Sequence, residues 1–514
     1  MKTFRKILVA NRGEVALRIM RTCRAMGIDT VAVYAEADKK SLHASTADEA
    51  VLIGPAPGAD SYFHGEAILE AARRTGADAI HPGCGFLAEN ADFAAACETA
   101  AIAFIGPTAE NLRKIGSKHW PVAKEHARER HIEVPILGDT HGQCVHLLER
   151  DCSIQLQHEM IIAESPSPAV NDDLRARLGE AAVAVGRELG ACLASVEFLI
   201  TPAGGFDCIG VQASLSLQHA VTEMITSLDL VRLQIEIAEG RPLPALAVQP
   251  RGHAIEARLL AQHLSNGFGP ATGTIQVWEL PAATSNMRID AAVEEGIEIT
   301  ADQDPLLAKI IGYGGDRENA LRSLIHALRT LRVLGVGTNQ ELLLQVLETK
   351  EFHNGGIHAA FLDEHPFVPT ADAERDFVFA AALVLYLEKS QHARREILPG
   401  VAPHYRNNPY RDPAITLRVG NADLAISWRQ TAPKRYVFHS GERQLDAEIV
   451  SFHAGKLSAV IGGIRRTFHF KEEGEEFHVH SSLGARTFQR LPRYSVLAMP
   501  PSTKHLGEAA CKPR

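Results

Sequence analysis

Short β-branched runs alternate with helical patterns over residues 1 to about 115, and this alternation limits the possible folds more than any other feature. The strand-sized runs are Ile7–Ala10, Thr30–Tyr34, Ala79–Ile80 and Ala103–Ile105. Apolar residues spaced three and four apart predict helices over Gly13–Met26 and Ser61–Thr75. Because strands that alternate with helices pair in parallel, this region predicts a doubly wound α/β domain.

The middle of the chain has a mixed α/β pattern. A hairpin is predicted from Val134–Leu137 and Cys144–Leu148, which flank a turn-rich stretch. A helix follows over Asp172–Leu189, with Asn171 or Asp172 as its N-cap. Two further strands are predicted, Ala194–Ile200 and Phe206–Val211, and residues 251–365 add an α+β unit that opens with the strand Arg251–Arg258.

The pattern changes after about residue 375. A predicted helix, Arg375–Glu388, precedes seven short strands, which are Ala414–Val419, Leu424–Trp428, Arg435–His439, Leu445–Val450, Lys456–Ile461, Thr467–Phe470 and Glu476–His480. Evenly spaced short strands are typical of a small antiparallel barrel or sandwich. The segment beyond Arg493, which contains a Pro-Pro-Ser-Thr cluster, is expected to be a disordered tail.

Composition excludes several classes of function. The net charge of −9 is a modest acidic excess, so a nucleic-acid partner is not expected. The chain has no apolar run that approaches the roughly 18 residues of a membrane span, and its first residues lack the apolar segment of a signal peptide. Its eight cysteines are scattered without a C-x-x-C pair, which favours reduced thiols in a cytoplasmic protein.

Two motifs stand out: Ile7–Glu14, with the sequence ILVANRGE, and His81–Asn90, with the sequence HPGCGFLAEN. Both closely resemble the N-terminal domain of biotin carboxylase, the ATP-grasp component of acyl-CoA carboxylases. Three further segments match the same family in its order along the chain: Glu149–Gln155, Val221–Thr226 and Asp304–Ile310. The resemblance covers about 365 residues. The following 125 or so residues are more weakly similar to the barrel that joins α to β subunits in propionyl- and methylcrotonyl-CoA carboxylases.

The resemblance implies a domain order. It predicts a biotin carboxylase N-terminal domain (1–115), a truncated ATP-grasp domain (116–250), a biotin carboxylase C-terminal domain (251–365), a subunit-docking β-barrel (366–493) and the tail (494–514). The parent family's carboxylase domains form dimers and its barrel docks β subunits. The resemblance therefore implies a homo-oligomer, or a hetero-oligomer with carboxylase α and β subunits, and a separate biotin carrier as a further partner.

The same resemblance implies where ATP and Mg²⁺ would bind. An ATP-grasp ligase holds Mg²⁺ on oxygen ligands and neutralises phosphates while a γ-phosphate moves to bicarbonate. Lys118, His131 and His158 match nucleotide-site positions of the family, and Glu197 matches a magnesium ligand. Arg288 matches an arginine that stabilises the biotin enolate and contacts bicarbonate.

Several family positions carry residues unsuited to this chemistry. Gly210 replaces the second magnesium carboxylate, Gln212 replaces a ligand asparagine, and Ser214 replaces an arginine. Gln218 replaces the glutamate assigned as general base, and an amide has no useful basicity. Met160 replaces a lysine that binds bicarbonate. The sequence therefore predicts a catalytically impaired site.

The lid of the ATP-grasp fold also has no counterpart in the sequence. Lys118 and His131 lie on either side of the family's lid domain but stand only 13 positions apart here. We expect an open groove between the residues near Lys118 and the Glu197 strand. We also expect residues Lys124–Val134 to bridge directly from a helix that begins near Ser117 into a strand at Ile132–Leu137.

Simpler structural roles compete with these assignments. Lys118 is expected to be a solvated helix residue, Glu197 to be neutral or paired with a nearby base, and His158 to satisfy buried backbone groups. His478 and His480 share one face of a strand and could join His469 in a metal site, although a solvated strand face is favoured.

Biotinyl domains carry an Ala/Val-Met-Lys-Met motif around the modified lysine. Ala498-Met499-Pro500 is the only similar approach here, and the surroundings of Lys504 do not match. We therefore expect no covalently attached biotin on this chain.

Four functions remain open from the sequence. The favoured one is a pseudoenzyme retained as a scaffold or regulatory subunit. The others are an active ATP-dependent biotin carboxylase that works on a separate carrier, a non-catalytic nucleotide-binding module, and a decayed or shortened carboxylase without function. The clustered acid-to-amide and arginine-to-serine changes favour the first or the last over an active enzyme.

Overall fold

The chain folds into two compact units, Met1–Pro369 and Thr370–Arg514. The computed structural model describes residues 3–55, 58–120, 128–190, 192–246, 248–264, 267–301, 303–368, 373–394, 411–420, 422–453 and 455–492. The tail predicted for 494–514 and residues 124–127 of the predicted bridge lie outside these residues.

The first unit begins with the predicted doubly wound domain. Its strands form a five-stranded parallel sheet in the order β3-β2-β1-β4-β5. The elements are β1 (Lys6–Val9), α1 (Gly13–Met26), β2 (Asp29–Ala35), α2 (Leu42–Thr46), β3 (Glu49–Gly54), α3 (Gly65–Thr75), β4 (Ala79–His81), α4 (Ala91–Thr99), β5 (Ala103–Phe104) and α5 (Ala109–Ser117). The predicted fold class of this domain is confirmed.

One helix of this domain is shorter than predicted. The helix expected from Ser61 begins at Gly65, where the side chain of His64 accepts a hydrogen bond from the N–H of Ala67. The preceding residues turn because the Tyr62 ring is fully buried, and its hydroxyl donates to Asp38 Oδ2 at 2.7 Å. The long-range contact of Tyr62 therefore overrides the helical periodicity.

A nine-stranded antiparallel sheet forms the rest of the first unit. Its main path is β11-β10-β6-β8-β9-β12-β19-β17, and β7 pairs with β6. The strands and helices up to residue 260 are β6 (Arg130–Gly138), β7 (Cys144–His146), β8 (Arg150–Leu156), β9 (Glu159–Ser165), α6 (Asp172–Leu189), β10 (Leu193–Ile200), β11 (Phe206–Gln212), α7 (His219–Thr226), α8 (Leu230–Ala238) and β12 (His253–Leu260).

The remaining elements of this unit add small strand pairs and helices. They are β13 (Gln262–His263), β14 (Gly269–Pro270), β15 (Gly273–Thr274), β16 (Val277–Glu279), β17 (Met287–Ala291), β18 (Glu298–Ile299), β19 (Leu306–Gly314), α9 (Arg317–Thr330), β20 (Arg332–Leu334), α10 (Gln340–Leu347), α11 (Lys350–His353) and α12 (Phe361–Glu364). Strands β12, β17 and β19 complete the sheet begun by β6–β11. The segments 116–250 and 251–365, predicted as separate domains, therefore share one sheet.

Local sequence determines parts of this sheet well. The predicted hairpin is confirmed, because β6 pairs with β7 in antiparallel register. Helix α6 has the predicted bounds, and the Asn171 side chain caps it by accepting a hydrogen bond from the N–H of Leu174. In contrast, the helix expected to begin near Ser117 is wrong, since α5 ends at that residue.

The second unit is a closed antiparallel barrel of eight strands, which confirms the predicted barrel. It begins with α13 (Ala373–Arg394), followed by β21 (Ala414–Val419), β22 (Ala422–Ala432), β23 (Arg435–Ser440), β24 (Arg443–His453), β25 (Lys456–Ile461), β26 (Ile464–Glu473), β27 (Glu476–Ser481) and β28 (Gly484–Arg490). Residues 377–386 of α13 are all buried against the barrel strands, so this part of the helix is apolar on every side.

The sequence predicted seven strands and missed β28. The sequence of this strand, GARTFQR, contains Phe488 as its one fully buried side chain. It therefore lacks the alternation of apolar and polar residues that identifies a strand. Its pairing with β21 and β27 closes the barrel.

Among the described residues, no helix combines the length and the apolar character needed to span a membrane.

Phe488→Ala should destabilise the second unit by about 3–5 kcal/mol, because it removes a large buried ring at the strand that closes the barrel. Ile464→Ala is the matched control, since Ile464 is 54% exposed and its loss should change stability by less than about 0.5 kcal/mol. Urea unfolding of the full chain, followed by circular dichroism and by the fluorescence of Trp428 in a background with Trp120→Phe and Trp278→Phe, measures both changes. Equal midpoints for the two variants would contradict the importance of β28.

Candidate active site

His131 and Glu197 are two candidate site residues that the fold brings together. Antiparallel pairing of β6 with β10 places His131 Nε2 at 3.6 Å from Glu197 Oε2. The Gln155 amide donates to His131 Nδ1 at 2.9 Å, which leaves Nε2 to carry the proton of the neutral ring. Burial opposes charge on His131, but Glu197, Glu133 and Asp151 outweigh it and raise the pKa of this histidine. Glu197 thus has a basic partner, as the sequence suggested.

Gly210 lies directly across from Glu197 on β11. A Cβ atom built on Gly210 would lie 3.1 Å from Glu197 Oε2, so a side chain at this position would share the face of the sheet with Glu197. Glycine supplies no side-chain oxygen there. Because Mg²⁺ needs several oxygen ligands in near-octahedral geometry, the position opposite Glu197 contributes nothing to a magnesium site.

An open cleft of about 550 Å³ lies beside Glu197. It is lined by Gly85, Phe86, Glu89, Glu197, Val211 and Gln212. This cleft follows the Glu197 strand as the predicted groove does, but Lys118 is not among its lining residues.

Lys118 follows α5 instead of lying within a helix, so its interpretation as a helix residue is wrong. Its Nζ lies 3.0 Å from Glu188 Oε1 and 4.9 Å from the centre of the Trp120 ring. These contacts hold the Lys118 ammonium group on the outside of the fold, beside helix α6.

Ser214 and Glu89 form a second internal contact of the site. The Ser214 hydroxyl donates to Glu89 Oε1 at 3.0 Å. Burial raises the pKa of Glu89, although the hydrogen bonds from Ser214 and the Ala213 backbone act in the opposite direction. A neutral hydroxyl thus bonds the carboxyl group at the position where the family carries an arginine.

Gln218 lies at the centre of a buried polar chain. Its Nε2 is 2.5 Å from both carboxylate oxygens of Glu133, and its Oε1 accepts from Arg258 Nη2 at 3.0 Å. Arg150 Nη2 donates to Glu133 Oε2 at 2.7 Å. Burial alone would raise the pKa of Glu133, but Arg150, His131 and Gln218 outweigh it and lower that pKa. We call Arg150, Glu133, Gln218 and Arg258 the central chain.

Arg288 is held between two carboxylates. Its Nη1 lies 2.7 Å from Glu223 Oε2, and its Nε and Nη2 donate to Asp290 Oδ2 at 2.9 and 2.6 Å. Glu223 also accepts from Arg18 on α1, which links the N-terminal domain to the large sheet. The pKa of Asp290 is lowered because Arg288 and Lys309 outweigh the effect of burial.

His158 is exposed to solvent and is not part of the protein interior. It is exposed in the turn between β8 and β9, with a positive φ of 67°. The expectation that His158 satisfies buried backbone is therefore wrong. Met160, two residues later on β9, is buried with 8% exposure.

Sequence reasoning missed Glu133, Arg150 and Arg258 as parts of the site. His131 and Glu133 stand two positions apart on β6, and residues with this spacing share one face of a strand. That periodicity was the available signal for Glu133. Arg150 and Arg258 bond to partners far along the chain, for which no local pattern exists.

A buried ion group links α1 to β12 and β19. Lys309 Nζ lies 2.9 Å from Glu14 Oε1 and donates to the Leu217 carbonyl at 2.7 Å. The carboxyl group of Glu256 on β12 is fully buried near this lysine. Burial is the main cause that raises the pKa of Glu14 to about 7, against the opposing effect of Lys309.

The described residues contain no group of three or more His, Cys, Asp or Glu side chains placed to hold a metal ion. His469 and His480 are paired across β26 and β27, and His478 Nδ1 is 3.0 Å from Thr487 Oγ1. His478 and His480 are both buried, so the expected solvated strand face is wrong.

Family comparisons match the first unit almost throughout. The model for the biotin carboxylase N-terminal domain matches residues 3–112, and that for the biotin carboxylase C-terminal domain matches residues 256–364. Between them, the model for the ATP-binding domain of the carbamoyl-phosphate synthase L chain matches residues 82–246.

Curated relatives agree with this domain order. The mitochondrial methylcrotonoyl-CoA carboxylase subunit alpha of Arabidopsis thaliana is 38% identical over 443 residues, which cover 70% of this chain and 60% of that protein. Biotin carboxylase 2 of Bacillus subtilis is 36% identical over 446 residues, which cover 70% of this chain and 100% of that protein. The chain thus spans the whole of the bacterial relative and 60% of the plant relative.

A solved structure gives the same picture of the fold. The biotin carboxylase domain of Hydrogenobacter thermophilus 2-oxoglutarate carboxylase superposes with a TM-score of 0.66 at 31% identity, covering 71% of this chain and 98% of that one. That domain was crystallised as a dimer with MgADP, ADP and bicarbonate.

Glu14→Gln should remove a pH dependence of folding stability. The folded-state pKa of about 7 exceeds the unfolded value near 4.5, so the native protein binds more protons and loses stability as the pH rises from about 4.5 to 7. Glu14 therefore costs about 3 kcal/mol above pH 7 relative to pH 4.5.

Free energies of unfolding measured by denaturant titration between pH 5 and 8 test this point. The difference between the wild type and Glu14→Gln should change with pH, while the difference for Glu180→Gln, an exposed glutamate on α6, should stay constant. A constant difference for Glu14→Gln would show that this carboxyl group does not titrate in the range.

Proposed function

The chain belongs to the biotin carboxylase family, and we propose that it serves an acyl-CoA carboxylase system as a scaffold or regulatory subunit that does not itself carboxylate biotin. The observation that carries this proposal is the internal pairing of the polar groups at the matched site. Gln218 bonds to Glu133, Ser214 bonds to Glu89, and Arg288 is held between Glu223 and Asp290. These groups satisfy one another instead of presenting free donors and acceptors to reactants.

The residues present do not fit Mg²⁺ and ATP. ATP and Mg²⁺ belong to the chemistry of the family, and the ATP-binding domain matches here. However, Glu197 faces His131 and a glycine, and Lys118 is paired with Glu188. Mg²⁺ would have no second carboxylate here, and the phosphates of ATP would have no contact with Lys118. The negative charge that moves in phosphoryl transfer would therefore not be neutralised.

Gln218 supports the proposal independently. The Gln218 amide donates to Glu133 and accepts from Arg258, so both ends of the side chain are bonded within the protein. A glutamine at this position supplies no basic group where the resemblance places the family's general base.

The proposed partners follow from the relatives. The plant relative is an alpha subunit by name, and the Hydrogenobacter domain was crystallised as a dimer. We propose that this chain associates with carboxylase α or β subunits, or with a second copy of itself. Every cysteine of the described residues is a free thiol, which is consistent with a cytoplasmic location.

The alternative functions predict different results for ATP cleavage and for ATP binding. An active biotin carboxylase would cleave ATP in response to biotin, and a nucleotide-binding module would bind ATP without turnover. A decayed chain would neither cleave nor bind ATP, and a tagged copy of it would capture no carboxylase subunit.

We expect no biotin-stimulated ATP cleavage by the purified protein. Loss of one transition-state contact commonly lowers the rate about 10²-fold, and several are altered here. Phosphate release is measured with ATP, Mg²⁺, bicarbonate and free biotin, beside an active biotin carboxylase as positive control. Arg288→Ala is the matched variant, because a trace of host carboxylase would give a signal that this substitution leaves unchanged. Biotin-dependent release that Arg288→Ala abolishes would contradict the proposal.

Affinity capture tests the scaffold role. A tagged copy expressed in its native cells should recover a carboxylase α or β subunit, identified by mass spectrometry, in a stable ratio after gel filtration. A tagged unrelated protein of similar size is the control. Recovery of the chain alone, with no carboxylase subunit, would contradict the role and leave the decayed-chain alternative.

A further inference from the structure

Three buried carboxyl groups surround Lys309 where helix α1 meets the large sheet. Lys309 on β19 is fully buried, and its Nζ lies 2.9 Å from Oε1 of Glu14 in the first turn of α1. Glu256, on the neighbouring strand β12, is also fully buried and interacts with the charge of the same lysine. Asp290 on β17 is opposite Lys309 in the strand register. We call these four residues the Lys309 cluster.

Glu14 and Glu256 differ from Asp290 in their hydrogen bonding. Asp290 accepts two hydrogen bonds from Arg288. In the part of the chain that the structure describes, all four carboxyl oxygens of Glu14 and Glu256 are buried and lack a hydrogen-bond partner. A buried carboxylate without hydrogen bonds is costly, and a proton on the carboxyl group removes that cost.

The charges inside the cluster also favour a proton on Glu14. Burial is the largest cause that raises the pKa of Glu14 to about 7; Lys309 opposes it, while Asp290 and Glu256 add to it. Burial likewise raises the pKa of Glu256, against the effect of Lys309. One ammonium group therefore does not compensate both glutamates.

The other ionisable groups around the cluster do not supply the missing compensation. Arg258 Nε lies 3.9 Å from Glu256 Oε1, and this arginine donates to Gln218. Arg288 on β17 is held by Asp290 and by the carboxylate that it shares with Arg18. The remaining groups are His219 at the start of α7 and Cys84 after β4, and burial keeps both uncharged by shifting their pKa values.

The cluster lies among ion pairs that join the N-terminal domain to the large sheet. Arg18 Nη2 on α1 lies 2.6 Å from Glu223 Oε1, and Arg21 Nη1 lies 3.1 Å from Asp290 Oδ1. Arginine stays charged across the neutral range, and the cations around Asp290 outweigh burial and lower its pKa. Glu14 is therefore the α1 contact whose charge changes near neutral pH.

We propose that Glu14 and Glu256 hold a proton that fastens the start of α1 to β12 and β19, and that loss of this proton loosens the contact. The step is an acid–base equilibrium, in which the O–H bond of one carboxylic acid breaks, the electron pair stays on oxygen and the proton passes to solvent. The two carboxylates that result repel each other beside a single ammonium group, and opening of α1 hydrates both. The inference goes beyond the scaffold proposal and does not depend on it.

Hydrogen exchange of the full chain between pH 5 and 8, expressed as protection factors, measures the opening of α1. An acid with a folded-state pKa of about 7 and an unfolded value near 4.5 releases its proton when the helix opens. Protection of α1 should therefore fall roughly tenfold or more from pH 5 to 7 and then stay level. Helix α6 is the internal control and should keep constant protection. Constant protection of α1 over this range would overturn the proposal.

Matched variants assign the effect to the cluster. Glu14→Gln should remove the pH dependence of α1 protection, whereas Glu180→Gln, at an exposed position on α6, should leave it unchanged. Glu256→Gln removes a negative neighbour of Glu14, so the fall in protection should move to lower pH. A fall that persists unchanged in Glu14→Gln would overturn the assignment.

Difference infrared spectroscopy of the wild type detects the proton directly and needs no folded variant. The carbonyl stretch of a protonated carboxyl group should disappear as the pH rises through about 7. Absence of a carboxyl band that titrates between pH 6 and 8 would overturn the proposal even if Glu14→Gln failed to fold. These outcomes are separate from the ATP cleavage result, because no nucleotide is involved, so failure of either proposal leaves the other standing.

Discussion

The central chain of Arg150, Glu133, Gln218 and Arg258 is the contact on which the rest of the candidate site depends. It joins β8, β6, the residue before α7, and β12 through buried hydrogen bonds. Removing one partner from a buried charge pair costs about 3–5 kcal/mol, because the other charge is left uncompensated. The central chain therefore fixes the positions of these elements. Its neutral amide, Gln218, bonds to both Glu133 and Arg258, so Glu133 is the one acid among its four residues.

Internal pairing of charged groups also joins the N-terminal domain to the large sheet. Arg288 and Arg18 meet at Glu223 and tie α1 to the large sheet. Arg288 thus has a structural task here, because it is held between Glu223 and Asp290. Shared fold and descent do not establish shared activity, and the arrangement of side chains decides between them.

Local sequence patterns predicted the regular elements and little of the site. Helices α1 and α6 have the predicted bounds, because strong periodicity and a capping residue define them. Strand β28 was missed because Phe488 is its one fully buried side chain. The partners of the central chain could not be predicted: Gln218 and Glu133 lie 85 positions apart, and only the folded sheet brings them together. The family resemblance identified which residues had changed, whereas the structure identified what each now contacts.

Equilibrium binding of MgATP tests the central claim most directly, because it asks whether the internally paired groups leave room for the family's nucleotide. Isothermal titration of the full chain with MgATP, beside an active biotin carboxylase, measures it without relying on turnover. The account predicts no saturable binding up to millimolar nucleotide. Saturable, magnesium-dependent binding in the micromolar range would contradict it, since Glu197, Lys118 and Gln218 would then have to exchange their present partners for the ligand.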